Sequence, residues 1–261
     1  MNTEHPKEKF NLDKATLNID IENTPTKAWS YQSYDAYVFD PEEYFHIQVI
    51  GLAWGDKPVQ VKSLPDFPLY KTDPHNDKEL VEWAHGEMKK ASLYVGHNII
   101  KHDLPRLKLK FIKHGLDPLP KIPVKDTLRM ARQYGFFSKK LDSLAKEMGL
   151  EGKEELGAGE LWKKCYNGEN DNKWWPLYKK YNKQDVELGR LIYRKLLAWE
   201  PNVPKLSPTD TCPICDSTQS NWKKNGMKYG RGWEQQRYAC LRCGNPNLYG
   251  PKYKLELNIN Q

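Results

Sequence analysis

Long hydrophobic runs are missing from this sequence of 261 residues. Every extended apolar stretch is far shorter than the about 20 residues of a transmembrane helix, so we expect no membrane span. A secretion signal is also missing, because the first nine residues are polar, mixed in charge and followed by no apolar run. With 38% hydrophobic and 29% charged residues, the chain is expected to be a soluble cytoplasmic protein with one large domain and a small one.

Cysteine is scarce, and four of the five cysteines form two Cys-x-x-Cys pairs separated by 24 residues. Cys212 and Cys215 make the first pair, and Cys240 and Cys243 make the second. Disulfides are not expected without a secretion signal, whereas two such pairs are typical of a closed tetrahedral Zn²⁺ site. The sequence therefore predicts a small zinc ribbon with one structural Zn²⁺, and an isolated, buried Cys165 outside it.

The net charge of +7 is concentrated at the C-terminus: residues 205–261 hold nine Lys and Arg against four Asp and Glu. Between the cysteine pairs, aromatic residues alternate with cations, which suits single-stranded nucleic acid because bases stack on the rings and phosphates pair with the cations. Two alternatives stay open at this point: the aromatics pack the ribbon's own core, or the surface binds a protein. The residues that we expect to contact nucleic acid here are Trp222, Lys223, Lys224, Arg231, Trp233 and Arg237.

Periodicity predicts alternating strands and helices over most of the remaining chain. Strands are expected at 16–22, 34–39, 46–54 and 59–64, the last three as an antiparallel meander joined to the first, and a further strand at 93–98. Helices are expected at 77–91, 126–132 and 141–148, and a long one that contains residues 174–192 and ends near Trp199.

Acidic residues stand at three distant places on these elements. Asp20 and Glu22 share one face of the first strand, because side chains alternate along a strand. Asp103 lies where a strand ends and a helix begins, so it would either cap the helix or point into a cleft. Tyr181 and Asp185 share one face of the long helix, because they are four residues apart. Only a folded chain can bring these groups together.

The acids and their neighbours resemble the DEDD superfamily of 3′–5′ exonucleases, which are DnaQ-like proteins with a ribonuclease H-like fold. Asp20-Ile21-Glu22 matches the first motif, and residues 96–105 match the second in a form similar to the proofreading domain of family B polymerases. Tyr181-x-x-x-Asp185 matches the third motif. The histidine subclass would carry its His five residues before the last Asp, where this sequence has Lys180, so the tyrosine (DEDDy) subclass is favoured.

The chain is most similar to small phage-encoded exonucleases of this superfamily that end in a zinc ribbon. Asp126-Thr127-Leu128-Arg129 and residues 157–162 match further segments of that group, and the resemblance covers roughly residues 17–244. One departure is Asn23, where the family has Thr, so Thr24 at the next position is expected to contact the terminal nucleotide in a shifted register. Asn98, in the second motif, is expected to position the substrate strand.

The resemblance implies an α/β architecture, with a ribonuclease H-like mixed sheet flanked by helices and a small C-terminal four-cysteine zinc ribbon. The expected division of the chain is a frayed N-terminus at 1–15, the exonuclease domain at 16–200, a proline-rich linker at 201–210, the ribbon at 211–250 and a tail at 251–261. If the protein is phage-encoded, its expected location is the host cytoplasm.

Phosphodiester hydrolysis requires an activated water and neutralisation of the leaving 3′ oxygen, which two divalent ions about 3.5–4 Å apart can supply. Carboxylate oxygens favour Mg²⁺ or Mn²⁺. By the resemblance, Asp20 would bridge the two ions, and Glu22, Asp103 and Asp185 would complete their coordination. Tyr181 would orient the attacking water, because a phenol with a pKa of about 10 is a poor base at neutral pH.

We therefore predict a metal-dependent 3′–5′ exonuclease that acts on single-stranded DNA. One alternative is an exoribonuclease with the same chemistry. Another is a nucleic-acid-binding protein without catalysis, in which the acids only hold a metal. A replication or recombination protein is a further candidate partner.

Overall fold

The computed structural model describes residues 16–31, 38–152, 160–169, 171–197 and 199, and in the C-terminal part residues 212, 217, 219–230, 233–242, 244 and 248–254. The predicted frayed N-terminus, the proline-rich linker, Cys215, Cys243 and Arg231 lie outside the described residues. The described chain divides into two compact units, one up to Leu196 and one from Leu197 onwards.

A mixed five-stranded sheet forms the centre of the first unit. The central strand β1 (Thr16–Asn23) pairs antiparallel with β4 (Ile47–Trp54), which pairs antiparallel with β5 (Gln60–Ser63). On its other side β1 pairs in parallel with β6 (Leu93–Gly96), which pairs in parallel with β7 (Val124–Asp126). The predicted mixed sheet is therefore confirmed, with the strand that carries Asp20 and Glu22 at its middle.

One predicted strand pairs differently from expectation. Residues 34–37 of the predicted strand at 34–39 lie outside the described residues. Its last two residues begin strand β3 (Val38–Glu43), which pairs with β2 (Lys27–Ser30) in a separate two-stranded sheet and not in the predicted meander. A strand has two hydrogen-bonding edges, and both edges of β4 are already paired, with β1 and with β5. No edge of β4 is left for β3.

Two helices pack beside the sheet through apolar stripes with helical spacing. Helix α1 (Lys78–Met88) packs on β4 and on helix α2 (Asp103–Lys113), and α2 packs on β1. The buried residues of the two helices are Leu80, Val81, Ala84 and Met88 on α1, and Leu104, Leu107 and Phe111 on α2. This packing fixes the start of α2, where Asp103 lies, against the central strand.

Two short helices follow β7, namely α3 (Thr127–Ala131) and α4 (Leu141–Glu147), and α5 (Leu161–Tyr166) precedes the long helix α6 (Asp171–Leu197). The helix predicted over residues 174–192 is part of α6, which begins three residues earlier and contains Pro176. As the sixth residue of α6, Pro176 lies past the first turn and removes one backbone hydrogen bond from the helix. Trp175 and Tyr178, buried in the core, hold this first part of the helix in place.

The second unit contains a three-stranded antiparallel sheet of β8 (Trp222–Gly230), β9 (Trp233–Cys240) and β10 (Leu248–Lys254), with β9 in the middle. Its small core holds Cys212, Cys240 and Leu248, with Trp222 and Tyr238 packed against them. In the described part of the chain, no helix combines the length and apolar character needed to cross a membrane.

Candidate active site

The central strand and the long helix bring three carboxylates together. Oxygen atoms of Asp20, Glu22 and Asp185 all lie within 4.8 Å of one another, and within the described residues no other group of three or more His, Cys, Asp and Glu side chains does so. Asp20 and Glu22 face the same side of β1 because they are two residues apart, and Asp185 approaches them from α6. Carboxylates this close repel each other, so the arrangement is suited to a bound cation.

Asp103 reaches the same strand by a different contact. Its Oδ1 accepts a hydrogen bond of 3.0 Å from the backbone N–H of Ile21, the residue between Asp20 and Glu22. The Asp103 side chain is buried and is not among the three carboxylates that meet within 4.8 Å. The interpretation of Asp103 as a helix cap is wrong, because His102 occupies the cap position and Asp103 is the first residue of α2.

Tyr181 lies one helical turn before Asp185, as the four-residue spacing predicts, and its hydroxyl is hydrogen-bonded to the Asp185 carboxylate. Burial, followed by the negative charges of Asp185, Glu22 and Asp20, raises the pKa of Tyr181 well above its ordinary value of 10. The hydroxyl therefore stays protonated at neutral pH. It is a hydrogen-bond donor beside the carboxylates and is unsuited to the role of a base.

Asn182 is a site residue that the sequence analysis missed. Its side-chain amide donates to Oδ2 of Asp20 at 2.8 Å and to the Asp20 carbonyl at 3.3 Å, and the residue is completely buried. Asn182 directly follows Tyr181, so it projects from a different side of α6 from the Tyr181–Asp185 pair. Its position next to a motif was visible in the sequence, but nothing in the sequence indicated that it reaches Asp20.

Asp126 is a second residue whose role was missed. Its buried carboxylate accepts from the backbone N–H groups of Asn98 at 3.0 Å and Ile100 at 3.2 Å, and from that of Leu128 at 3.0 Å in the first turn of α3. One side chain thus caps α3 and fixes the loop that leads to Asp103. Asn98 has a left-handed backbone with φ of 63° in that loop, a conformation that Asn adopts more readily than most residues. Substrate positioning by Asn98 stays a prediction.

His97 connects this loop to the chain beyond α3. Its Nδ1 lies 2.9 Å from Oγ1 of Thr127, and its Nε2 lies 2.9 Å from the carbonyl oxygen of Lys139. The expectation that His97 is a structural residue agrees with these contacts. His97 also lines a small cleft that it shares with Asp20 and Asp185.

Thr24 is only 2% exposed, and its hydroxyl oxygen accepts a hydrogen bond of 3.0 Å from the backbone N–H of His46. A contact between Thr24 and the terminal nucleotide stays a prediction, and in this structure its hydroxyl is engaged inside the protein.

Cys212 and Cys240 lie together in the core of the second unit, where the hydroxyl of Ser217 is 3.0 Å from the Cys240 sulfur. The backbone N–H of Cys212 donates to the Ser217 carbonyl at 2.9 Å. Cys165 is buried in the first unit, as expected, and burial raises the pKa of its thiol to about 12. A zinc site of four cysteines stays a prediction.

The residues predicted to bind nucleic acid in the second unit have different environments. Lys223 and Lys224 are exposed on β8, whereas Trp233 and Arg237 on β9 are half-buried. Trp222 packs on Tyr238 with ring centres 5.8 Å apart, and its Nε1 donates to the Ser217 carbonyl at 3.3 Å. For Trp222, the alternative of packing within the module's own core is therefore favoured.

Comparison with known proteins gives one family and one fold. The sequence model of the RNase H superfamily matches residues 36–197, which include Asp103, Tyr181 and Asp185. Among solved structures, the family B DNA polymerase from the hyperthermophilic archaeon Pyrobaculum calidifontis is similar, with a TM-score of 0.52 and 16% identity. The match covers 70% of this chain and 24% of the polymerase chain, and at this identity it shows the fold alone. No curated protein matches the chain.

Proposed function

This chain belongs to the RNase H superfamily, and on that premise we propose that it is a metal-dependent 3′–5′ exonuclease of the tyrosine subclass, acting on single-stranded DNA. The observation that carries the proposal is the meeting of Asp20, Glu22 and Asp185 within 4.8 Å at the middle of the sheet. Asp103, bonded to the strand between two of these acids, supplies the fourth carboxylate of the motif set.

The donor set fits divalent metal ions. Every side chain in the cluster offers hard carboxylate oxygens, which are the ligands that Mg²⁺ and Mn²⁺ prefer. Asp20, Glu22 and Asp185 would hold the ions, with Asp103 beside them. When bound, two such ions would supply an activated water and neutralise charge on the leaving oxygen.

The protein's own groups have distinct tasks in this proposal. Tyr181 remains protonated and donates its one hydroxyl hydrogen to Asp185, so its oxygen would accept a hydrogen bond from the attacking water and orient it. Asn182 fixes one oxygen of Asp20, which leaves the other directed away from the amide. Asp126 holds the loop that precedes Asp103.

Incubation with single-stranded DNA labelled at its 5′ end tests the assignment. With Mg²⁺ we expect a ladder of products shortened stepwise from the 3′ end, and none with EDTA. Asp20→Ala is expected to abolish the ladder, whereas Glu82→Ala, which removes an exposed carboxylate on α1, is expected to retain it. Equal digestion by Asp20→Ala and wild type would contradict the proposal.

The two alternatives are distinguished by the same reaction. An RNA oligomer of equal sequence that is shortened faster than the DNA would support the exoribonuclease. Tight binding of either oligomer without shortening would support a nucleic-acid-binding protein without catalysis.

For the second unit we propose a zinc ribbon in which Cys212, Cys215, Cys240 and Cys243 hold one structural Zn²⁺. The support is that Cys212 and Cys240, one from each Cys-x-x-Cys pair, lie in one buried cluster although they are 28 positions apart in the sequence. Elemental analysis of the purified protein should find one zinc per chain, lost in Cys240→Ser and retained in Cys165→Ser. Zinc content unchanged in Cys240→Ser would contradict this site.

The exposed cations on β8 of the ribbon, Lys223 and Lys224, are proposed to bind the same substrate. A replication or recombination protein is the alternative partner. Lys223→Ala with Lys224→Ala is expected to weaken DNA binding and to lower its dependence on salt concentration, because each lost phosphate contact removes one released counterion. An unchanged salt dependence would favour the protein partner.

A further inference from the structure

The loop between α3 and α4 displays a phenylalanine to solvent. Phe137 is 98% exposed, the highest fraction for a large hydrophobic side chain among the described residues. Exposure of a complete phenyl ring to water is unfavourable, so a partner that covered the ring would gain binding free energy. Phe137 has no cover from its own unit or from any other described residue.

Hydrogen bonds fix the backbone that carries this ring. The N–H of Phe137 donates to the carboxylate of Glu147, at 3.1 and 3.3 Å to its two oxygens. The ammonium group of Lys139 donates to the carbonyl of Phe136 at 2.7 Å, and the N–H of Lys140 donates to Oγ of Ser138 at 3.3 Å. The backbone that carries the ring is therefore held in place by hydrogen bonds on both sides of Phe137.

The same loop is attached to the candidate active site. The carbonyl of Lys139 lies 2.9 Å from Nε2 of His97, and His97 lines the small cleft that contains Asp20 and Asp185. Phe137 is two residues from Lys139, so their Cα atoms are separated by at most about 7 Å. The backbone two residues after Phe137 is thus hydrogen-bonded to a residue that lines the cleft.

The charges beside the ring indicate what would cover it. Three cations, Arg132, Lys139 and Lys140, lie within five residues of Phe137 in the chain, against one acid, Asp142, and the Glu147 carboxylate that accepts from the Phe137 N–H. An apolar peptide would gain nothing from these cations. Single-stranded nucleic acid offers both a flat base for the ring and phosphates for the cations.

We propose that Phe137 is a stacking platform for a base of the single-stranded DNA substrate, with the neighbouring cations contacting its phosphates. The inference rests on the proposed nuclease function, whose substrate class it specifies: a strand with an unpaired base at this position. A base inside a duplex has both faces stacked on its neighbours and could not bind the ring in the same way.

Equilibrium binding of a fluorescent single-stranded DNA in EDTA measures the contact without cleavage. Phe137→Ala is expected to bind about fivefold to a hundredfold more weakly than wild type, as for the loss of one base stack. Phe137→Trp, which keeps a flat ring, is expected to bind at least as tightly as wild type. Ile112→Ala removes a 76% exposed apolar side chain on α2 and serves as the matched control, with unchanged affinity expected.

A set of DNA strands, each with one abasic position, locates the contacted base. Wild type should lose affinity for the strand that lacks that base, and Phe137→Ala should show no loss at that position while losses elsewhere persist. Equal affinity of Phe137→Ala and wild type, or identical abasic profiles, would overturn the inference. If Phe137→Ala behaves as expected but wild type with Mg²⁺ leaves the strand intact, the stacking platform stands and the nuclease function falls.

Discussion

Asn182 on the long helix and Asp20 on the central strand are joined by a hydrogen bond of 2.8 Å between the side-chain amide and Oδ2. The bond is possible because residue 51, opposite Asp20 on β4, is glycine. A Cβ atom on Gly51 would lie 2.2 Å from Oδ1 of Asn182 and 2.7 Å from Cγ2 of Val186. A missing side chain on one strand therefore makes room for the amide that orients a carboxylate on the next.

Replacement of Asn182 by Leu keeps a similar volume and removes the donor to Asp20. A hydrogen bond to a charged group contributes about 1.5–3 kcal/mol, so we expect kcat/KM to fall by about tenfold to a hundredfold. The Mg²⁺ concentration for half-maximal activity should rise, because the carboxylate is no longer held in one orientation. Gly51→Ala is expected to reproduce both effects. Metal titrations of cleavage rate measure them.

Lys183→Ala, at the next position of the helix with a half-exposed side chain, is the control and should leave the Mg²⁺ requirement unchanged. If Asn182→Leu lowers the melting temperature but cleaves with the metal dependence of wild type, Asn182 has only a packing role.

Tyr181→Phe removes the hydroxyl that is bonded to Asp185 and is expected to lower kcat by about tenfold or more. The pKa of Tyr181 is raised above 10, so the hydroxyl is protonated in wild type throughout the range from pH 7 to pH 9.5. The pH–rate profiles of wild type and Tyr181→Phe should therefore run parallel over that range. A fall in wild-type activity above pH 8 that disappears in Tyr181→Phe would show that the tyrosine ionises, contrary to this expectation.

Asp77 is a buried anion that joins three elements. Its carboxylate accepts from Nζ of Lys110 at 2.8 Å, from the N–H of Ile47 at 2.8 Å and from Nε2 of His114 at 2.7 Å. Asp77→Ala leaves the Lys110 cation, with a side chain only 9% exposed, without its partner, and we expect a loss of about 3–5 kcal/mol in the free energy of unfolding. Urea denaturation measures this loss.

The matched control for Asp77 is the exposed pair of Lys78 and Glu82 on α1, whose charged atoms are 3.9 Å apart. Glu82→Ala is expected to change stability by about 0.5 kcal/mol at most, because water screens the pair. Equal losses in the two variants would mean that burial does not strengthen the Asp77 cluster.

His46 is expected to make stability depend on pH. Burial, followed by the nearby His75, lowers the pKa of His46 from 6.5 to about 4. Between these two pH values the unfolded chain binds a proton that the folded chain does not, so the free energy of unfolding falls as the pH is lowered from 6.5 to 4. Above pH 6.5 the neutral His46 side chain makes its full contribution to stability. The shift corresponds to about 3 kcal/mol at most.

His46→Phe removes the titration and keeps a flat ring facing His75, whose centre is 4.9 Å away in wild type. From pH 7 to pH 4, wild type should lose up to about 3 kcal/mol more stability than the variant, measured by urea denaturation at each pH. Parallel losses over the window would show that His46 does not titrate as proposed.

Local patterns in the sequence predicted the elements that carry the motifs. Alternation over residues 16–22 gave a strand with Asp20 and Glu22 on one face, which β1 confirms. The four-residue spacing of Tyr181 and Asp185 predicted their contact on one helix, which the hydrogen bond confirms. Both patterns depend only on the period of a single element, so a sequence contains them completely.

Predictions that depended on neighbours in space were less successful. Alternation predicts a strand at 34–39 without identifying its partner. The part of it that the structure describes, residues 38–39, belongs to β3, which pairs with β2 because both edges of β4 are occupied. The long helix begins before Pro176 because two buried aromatic residues, Trp175 and Tyr178, hold its first turns in the core. Tertiary packing overrode the local signal at that end.

The sequence alone determined the residue types of the candidate site: carboxylates for hard cations, a tyrosine one turn from an aspartate, and paired cysteines. Only the tertiary structure decided that three of the acids meet within 4.8 Å while Asp103 binds the backbone between two of them. It also decided that Asn182 reaches Asp20 through the space beside Gly51, and that Phe137 stays uncovered two residues from the Lys139 carbonyl that contacts His97. These relationships join residues far apart in the chain, and their distances follow from how β1, β4 and α6 pack, which no local period in the sequence specifies.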